Sequence, residues 1–134
     1  MLLQRRKTLH RQIGEAVEDL NQDRLFEHVD VLAGHFLRAE EWSRAVFYLR
    51  EAGRKAAAIS ANSEAVQRLE RALETSSRLP ETLERTRQAI DLRLDLRAPL
   101  MQLGRLEEVH RLSREAEELA RVLGDERRHA RVYT

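Results

Sequence analysis

Apolar residues return every three or four positions along almost the whole chain, with charged residues between them. This spacing is the period of an α-helix with one buried side, so the pattern predicts a helical protein. We expect six helices, over residues 2–20, 25–39, 42–59, 62–77, 80–104 and 107–123. Gly124 would cap the sixth helix, and Asp125 would begin another that the chain cuts short.

Residues 89–97, AIDLRLDLR, allow a second interpretation. Their isoleucine and leucine residues alternate with charged ones, as in a strand with one buried face. The helix is favoured because Leu and Arg are good helix formers and because no second strand is visible to pair with this one. The segment from Pro80 to Gly104 also has the length of a helix. Its apolar residues would lie on two sides, so we expect burial on two faces.

Small residues recur through residues 32–73, each with a large apolar residue nearby; they are Ala33, Ala45, Ala52, Ala65 and Ala72. Small side chains let two helix backbones come close, and the larger neighbours fill the grooves between them. The order of these residues is typical of a tetratricopeptide helix pair. The predicted fold is therefore all-α: a tetratricopeptide-like α–α superhelix, or solenoid, of about six helices. Residues 1–134 would form a single domain, truncated at its C-terminal end.

The repeat is degenerate, and the pairing of its helices stays open. The anchors Ala45, Ala65 and Val109 are not separated by the tetratricopeptide period of about 34 residues. Trp42 lies at a turn, whereas the tetratricopeptide pattern has a tryptophan near the start of the first helix of a pair. The third helix could thus end one pair or start the next.

Four sequence segments follow one another along the chain: RRKTLHRQIGEAVED, HVDVLAGHFLRAEEWSRAVFYLREAGRKAAAISANSEAVQRLERAL, RLPET and LMQLGRLEE. In this order they resemble the tetratricopeptide-like region of bacterial multidomain signalling proteins, which join a class III adenylate or guanylate cyclase to a regulatory ATPase. A similar region occurs in ATP-dependent bacterial transcriptional activators. The resemblance implies a regulatory segment of a longer polypeptide that senses or binds protein partners. A freestanding adaptor that grips peptide C-termini is a further alternative.

Charge and composition narrow the class of partner. Of 134 residues, 24 are Lys or Arg and 23 are Asp or Glu, so the net charge is only +1. A dedicated nucleic-acid binder would have a basic surplus, and a membrane-spanning helix would have an apolar run of about 20 residues. The short basic run at residues 5–7 is interpreted as a solvated helix side. We therefore expect no nucleic-acid or membrane partner and a cytoplasmic location.

No residue is assigned to catalysis, to a cofactor or to a metal. The chain has no cysteine, which excludes disulfides, thiolate nucleophiles and cysteine-based zinc sites. No two of the five histidines have the i, i+4 spacing of metal-binding helices. The carboxylates are spread over helix sides, whereas acid–base catalysis would need them to converge in a pocket. The chain carries no phosphate-binding loop either, because its five glycines are isolated.

Two interaction surfaces are predicted for a protein or peptide partner, or for neighbouring domains of the same polypeptide. If the third and fifth helices line a concave groove, the groove residues are Arg50, Arg54, Asp91, Leu94 and Met101. The two arginines would favour a partner that carries carboxylates. A homo-oligomer is the second hypothesis, because a solenoid without a polar terminal repeat exposes an apolar face. The candidate residues for this contact are Leu112, Leu119 and Val122.

Overall fold

The computed structural model describes the backbone of residues 2–133 and the side chains of residues 2–124. This part of the chain contains six α-helices and no strand. The helices are α1 (Leu2–Leu20), α2 (Val29–Arg38), α3 (Trp42–Ala58), α4 (Asn62–Ser76), α5 (Leu83–Gln102) and α6 (Leu106–Tyr133). A short 3-10 helix, Gln22–His28, joins α1 to α2. The prediction of an all-α fold with six helices is confirmed.

Each helix packs against the next one along the chain, and α3 also approaches α5. Helix α1 also approaches α3, and side-chain hydrogen bonds join the two helices. Alternate helices therefore lie side by side, with α2 and α4 on the other side of α3. We call the surface formed by α1, α3 and α5 the odd-helix face.

The core is built from leucines and from the predicted small residues. Leu32, Leu69, Leu92 and Leu100 are fully buried, and so is Phe36. The small residues are equally enclosed, with exposed fractions of 3% or less; they are Ala33, Ala45, Ala52, Ala65 and Ala72. Close approach of helix backbones, which the small residues predicted, is thus how this core is packed.

One type of turn ends three of the helices. Glu40, Ser60 and Gly104 have positive φ angles of 56°, 59° and 75°. At each turn two backbone N–H groups donate to carbonyls of the last helical turn, the pattern of a Schellman motif. The next helix begins two residues later, and a buried anchor follows five residues after the turn; the anchors are Ala45, Ala65 and Val109. A shared turn geometry therefore places these anchors, whatever their spacing along the chain.

Three sequence-based expectations are wrong. Helix α5 is buried on one face, through Leu92, Leu96 and Leu100, and its opposite side is exposed. Helix α5 starts at Leu83, three residues after Pro80, because the Thr82 hydroxyl accepts the Arg85 N–H and caps the helix there. Helix α6 continues through Gly124 to Tyr133, so no helix begins at Asp125. The Asp125 side chain itself lies outside the described residues.

Candidate functional site

Arg50 joins the third and fifth helices. Its Nε donates a 2.7 Å hydrogen bond to Asp95, and its Nη1 lies 4.0 Å from Asp91. Burial lowers the pKa of Arg50, but the hydrogen bond and the neighbouring carboxylates outweigh this effect, and the net pKa is raised. The structure thus brings together two predicted groove residues, Arg50 and Asp91, and adds Asp95, which the sequence did not single out.

A matching set of contacts joins α3 to α1. Arg44 Nη1 lies 3.1 Å from Glu15 and 3.9 Å from Glu18. The Tyr48 hydroxyl donates to Glu18 as well. Burial, followed by the hydrogen bond and the charge of Glu18, raises the pKa of Tyr48 far above its ordinary value. Side-chain pairs on both edges of α3 therefore hold the odd-helix face together.

Exposed apolar side chains lie between and beside these pairs. Phe47 is 57% exposed, one helical turn after Arg44 and one turn before Arg50. On α5, Leu94 is 39% exposed and Met101 is 54% exposed, and the two residues are two turns apart. Exposed large apolar residues on one face are a common mark of an interaction surface.

Phe47 and Tyr48 are adjacent in sequence but differ in burial. Tyr48 is buried, and its ring stacks on Phe36 at 5.8 Å between centroids. Phe47 contacts Tyr48 edge-on at 5.1 Å and otherwise points to solvent. The sequence does contain a signal for the exposure of Phe47. Arg44 and Arg50 lie three residues before and three residues after it, so all three side chains share one side of the helix, and arginines mark that side as solvated.

Arg54 lies on the same exposed side of α3 but does not join α5. Its guanidinium is 3.9 Å from Glu51, one turn earlier on its own helix, and the side chain is 57% exposed. The five predicted groove residues therefore divide into two groups. Arg50 and Asp91 belong to a pairing between helices, whereas Arg54, Leu94 and Met101 are exposed to solvent.

The other side of α3 carries a cleft between α2 and α4 of about 450 Å³. Ala33 and Leu37 of α2 and Leu49 of α3 provide its apolar surface. Asp30 and Arg68 bridge the two helices with a contact of 2.9 Å. The sequence interpretation did not foresee this cleft, because its wall combines residues from three helices.

The predicted self-association residues do not form one surface. Leu112 is 4% exposed and belongs to the core between α5 and α6, so it is not accessible to a second copy. Leu119 is half-buried beside the start of α5. Val122 is 37% exposed. Helix α6 packs its apolar side against α5, so this side is not available for contact with a second copy, as the sequence-based hypothesis required.

Two histidines meet between α1 and α2. The Nδ1 atoms of His10 and His35 are 3.0 Å apart, and burial, followed by the charges of His10 and Arg38, lowers the pKa of His35. Within residues 2–124, no group of three or more histidine, aspartate or glutamate side chains is placed to hold a metal ion. None of the described helices is long and apolar enough to cross a membrane.

Comparison with known proteins assigns no family and no function to this chain. The chain matches no family model, no curated protein and no solved structure. The resemblance to cyclase- and ATPase-linked signalling proteins therefore stays a prediction.

Proposed function

We propose that this chain is a non-catalytic, tetratricopeptide-like scaffold that binds an extended segment of a partner protein across α3 and α5. The observation that carries the proposal is the exposed Phe47, placed between the paired residues Arg44 and Arg50 on the odd-helix face. Aromatic residues held among well-ordered neighbours are frequent hot spots in protein interfaces, where they contribute much of the binding free energy.

The pairs around Phe47 favour binding because they hold the surface in one arrangement. Arg50 is restrained by Asp95 on α5, and Arg44 by Glu15 on α1. A surface that is already ordered loses less conformational entropy when a partner binds. The contacts around Phe47 pair Glu15, Glu18 and Asp95 with arginine or tyrosine side chains, and this favours a binding role over acid–base chemistry, which needs a carboxylate free to reach the substrate.

The exposed residues indicate the chemistry of the partner. Phe47, Leu94 and Met101 offer apolar contacts, and Arg54 offers a guanidinium whose nearest carboxylate is 3.9 Å away. A partner segment with apolar side chains and a carboxylate would complement this set. Arg50 takes a different role from the predicted one, because its Nε is already bonded to Asp95.

A random-peptide display library selected on the immobilised chain tests the proposal. The expected peptides combine apolar side chains with a carboxylate, and Phe47→Ala and Arg54→Ala should each weaken their binding by roughly tenfold, about 1.4 kcal/mol. Ile59→Ala and Arg111→Ala are matched controls, because both residues are exposed and lie off this face. Peptides that bind all four variants equally, or a selection that recovers no peptide, would contradict the proposal.

We further propose that the scaffold is a regulatory segment of a bacterial signalling protein with cyclase and ATPase domains. This proposal is supported by the order of the four sequence segments from RRKTLHRQIGEAVED to LMQLGRLEE and by the sequential packing of the six helices. The alternative is the equivalent segment of an ATP-dependent transcriptional activator. Coding sequence flanking this chain decides between them: an ATPase with a cyclase domain supports the first, and a helix-turn-helix domain supports the second.

A further inference from the structure

Helix α1 carries an apolar stripe that no other helix in the described structure covers. Its residues follow the alternating spacing of three and four that defines a heptad repeat; they are Leu2, Leu9, Ile13, Ala16 and Leu20, with Arg6 completing the series. Leu2, Leu9 and Leu20 are 75%, 54% and 83% exposed. Arg6 and Ala16 are exposed as well, and Ile13 is half-buried, so most of this side of the 19-residue helix is accessible.

The stripe is separate from the sides of α1 that the fold uses. His10 and Gly14 face α2, where His10 contacts His35 and Gly14 lies against the ring of Phe36. Glu15 faces Arg44 of α3. A helical wheel places Leu9 and Leu20 away from both contacts, at the outer edge of the helix array. This edge also has a shallow depression of about 550 Å³ beside Leu9.

We infer that the stripe on α1 is a dimerisation surface on which the α1 helix of a second copy packs antiparallel. In an antiparallel pair centred on Arg11, Leu2 meets Leu20 of the second copy, and Leu9 meets Ile13. Arg6 meets Ala16, a small residue that leaves room for the arginine stem while its guanidinium reaches solvent. All six heptad positions therefore find a complementary neighbour.

Charge complementarity supports the same register. The positions that flank the heptad stripe on one side are Arg5, Gln12 and Asp19. In the antiparallel pair, Arg5 lies opposite Asp19 of the second copy, and Gln12 lies opposite its own counterpart. Within residues 2–124, neither Arg5 nor Asp19 forms an ion pair of its own. A parallel pair would instead place two Arg6 side chains opposite each other in the apolar layer, which is unfavourable.

Sedimentation of the full chain at increasing protein concentration tests the inference. We expect the average mass to rise from the monomer mass of 15.6 kDa towards twice that value. Leu9→Glu should remain monomeric, whereas Ile59→Glu, at an exposed residue outside α1, should behave as the unmodified chain. Unchanged circular dichroism would show that both variants keep their helices. A chain that stays monomeric at every concentration overturns the inference.

Charge reversal tests the register. Arg5→Asp and Asp19→Arg alone should each raise the dimer Kd by about tenfold, because like charges then face each other twice in the dimer. The double variant should restore the original Kd. If the double variant is instead as weak as the single ones, the antiparallel register is wrong.

A crosslink gives an independent readout, because the chain has no cysteine of its own. Gln12→Cys should form a dimer with a short bismaleimide crosslinker. Arg5→Cys should crosslink to Asp19→Cys in a mixture of the two variants and not to itself. Crosslinking of Arg5→Cys to itself would indicate a parallel pair and would overturn the proposed geometry.

Discussion

Gly53 of α3 contacts the side chain of Leu69 on α4 so closely that it leaves no space for a side chain of its own. The Cβ of an alanine at position 53 would be 2.6 Å from Cγ of Leu69. Leu69 is fully buried, so its side chain has little freedom to move away. This contact sets the distance between the two helices at the centre of the core.

Gly53→Ala should therefore destabilise the chain by about 1–3 kcal/mol, the usual cost of overpacking a core. Gly34→Ala is the matched control, because Gly34 is also inside a helix and a Cβ there would meet only Arg38 Nη1, at 3.9 Å. Removing a glycine from a helix interior without a clash should stabilise the chain by about 0.5–1 kcal/mol. Chemical denaturation measures both values, and equal shifts of the same sign would contradict the explanation.

The turn that ends α3 leads to a second prediction. Ser60 has a φ of 59°, a conformation that costs a non-glycine residue free energy, whereas Gly104 occupies the equivalent turn after α5 without that cost. Ser60→Gly should raise the free energy of unfolding by about 0.5–1 kcal/mol, and Gly104→Ser should lower it by a similar amount. Thermal denaturation of the two variants checks the opposite signs. A loss of stability in Ser60→Gly would show that its side chain matters more than its backbone.

Periodicity and small residues were enough to predict the helices and much of the core. All five alanines of the predicted series are buried, because close helix packing selects small side chains at those positions. The helix at residues 89–97 is confirmed as well, and it was predicted from helix propensity, segment length and the lack of a second strand, because the apolar spacing there alternates as in a strand. These features depend on local geometry, which a sequence carries directly.

The interaction surfaces depend on contacts between helices that are distant in sequence, and there the sequence was less informative. The pairing of Arg50 with Asp95 requires α3 to lie beside α5, and the degenerate repeat left that arrangement open. The burial of Leu112 depends in the same way on how α6 packs against α5. Exposed leucines on α1 are visible in the sequence as a heptad pattern, but only the fold shows that this stripe is left uncovered.

The contact between Arg50 and Asp95 should contribute measurably to stability because it is short and shielded more than a fully exposed pair. A double-mutant cycle with Arg50→Ala and Asp95→Ala should give a coupling energy of about 0.5–1 kcal/mol that decreases with salt. The pair Arg54 and Glu51 provides the control: it is 3.9 Å apart on one helix, and its coupling should be about 0.3 kcal/mol. Equal coupling in both cycles would argue against a special role for Arg50.

The paired histidines should make stability depend on pH. The Nδ1 of one ring donates to the Nδ1 of the other at 3.0 Å, and a proton taken up by the accepting Nδ1 would remove this hydrogen bond. The pKa of His35 in the folded chain is lowered from 6.5, first by burial and then by the charges of His10 and Arg38. The unfolded chain thus binds more protons in this range, so the free energy of unfolding should fall as the pH drops below 6.5 towards the lowered value.

His35→Gln should reduce this dependence, because glutamine cannot take up the proton. His110→Gln is the matched control, since His110 is exposed on α6, away from α1 and α2. Thermal denaturation at neutral pH and at a pH below 6.5 measures the change in Tm for each variant. We expect the Tm of the unmodified chain and of His110→Gln to decrease more on acidification than the Tm of His35→Gln. If all three lose the same, the acid sensitivity comes from carboxylates elsewhere, and the histidine pair has no part in it.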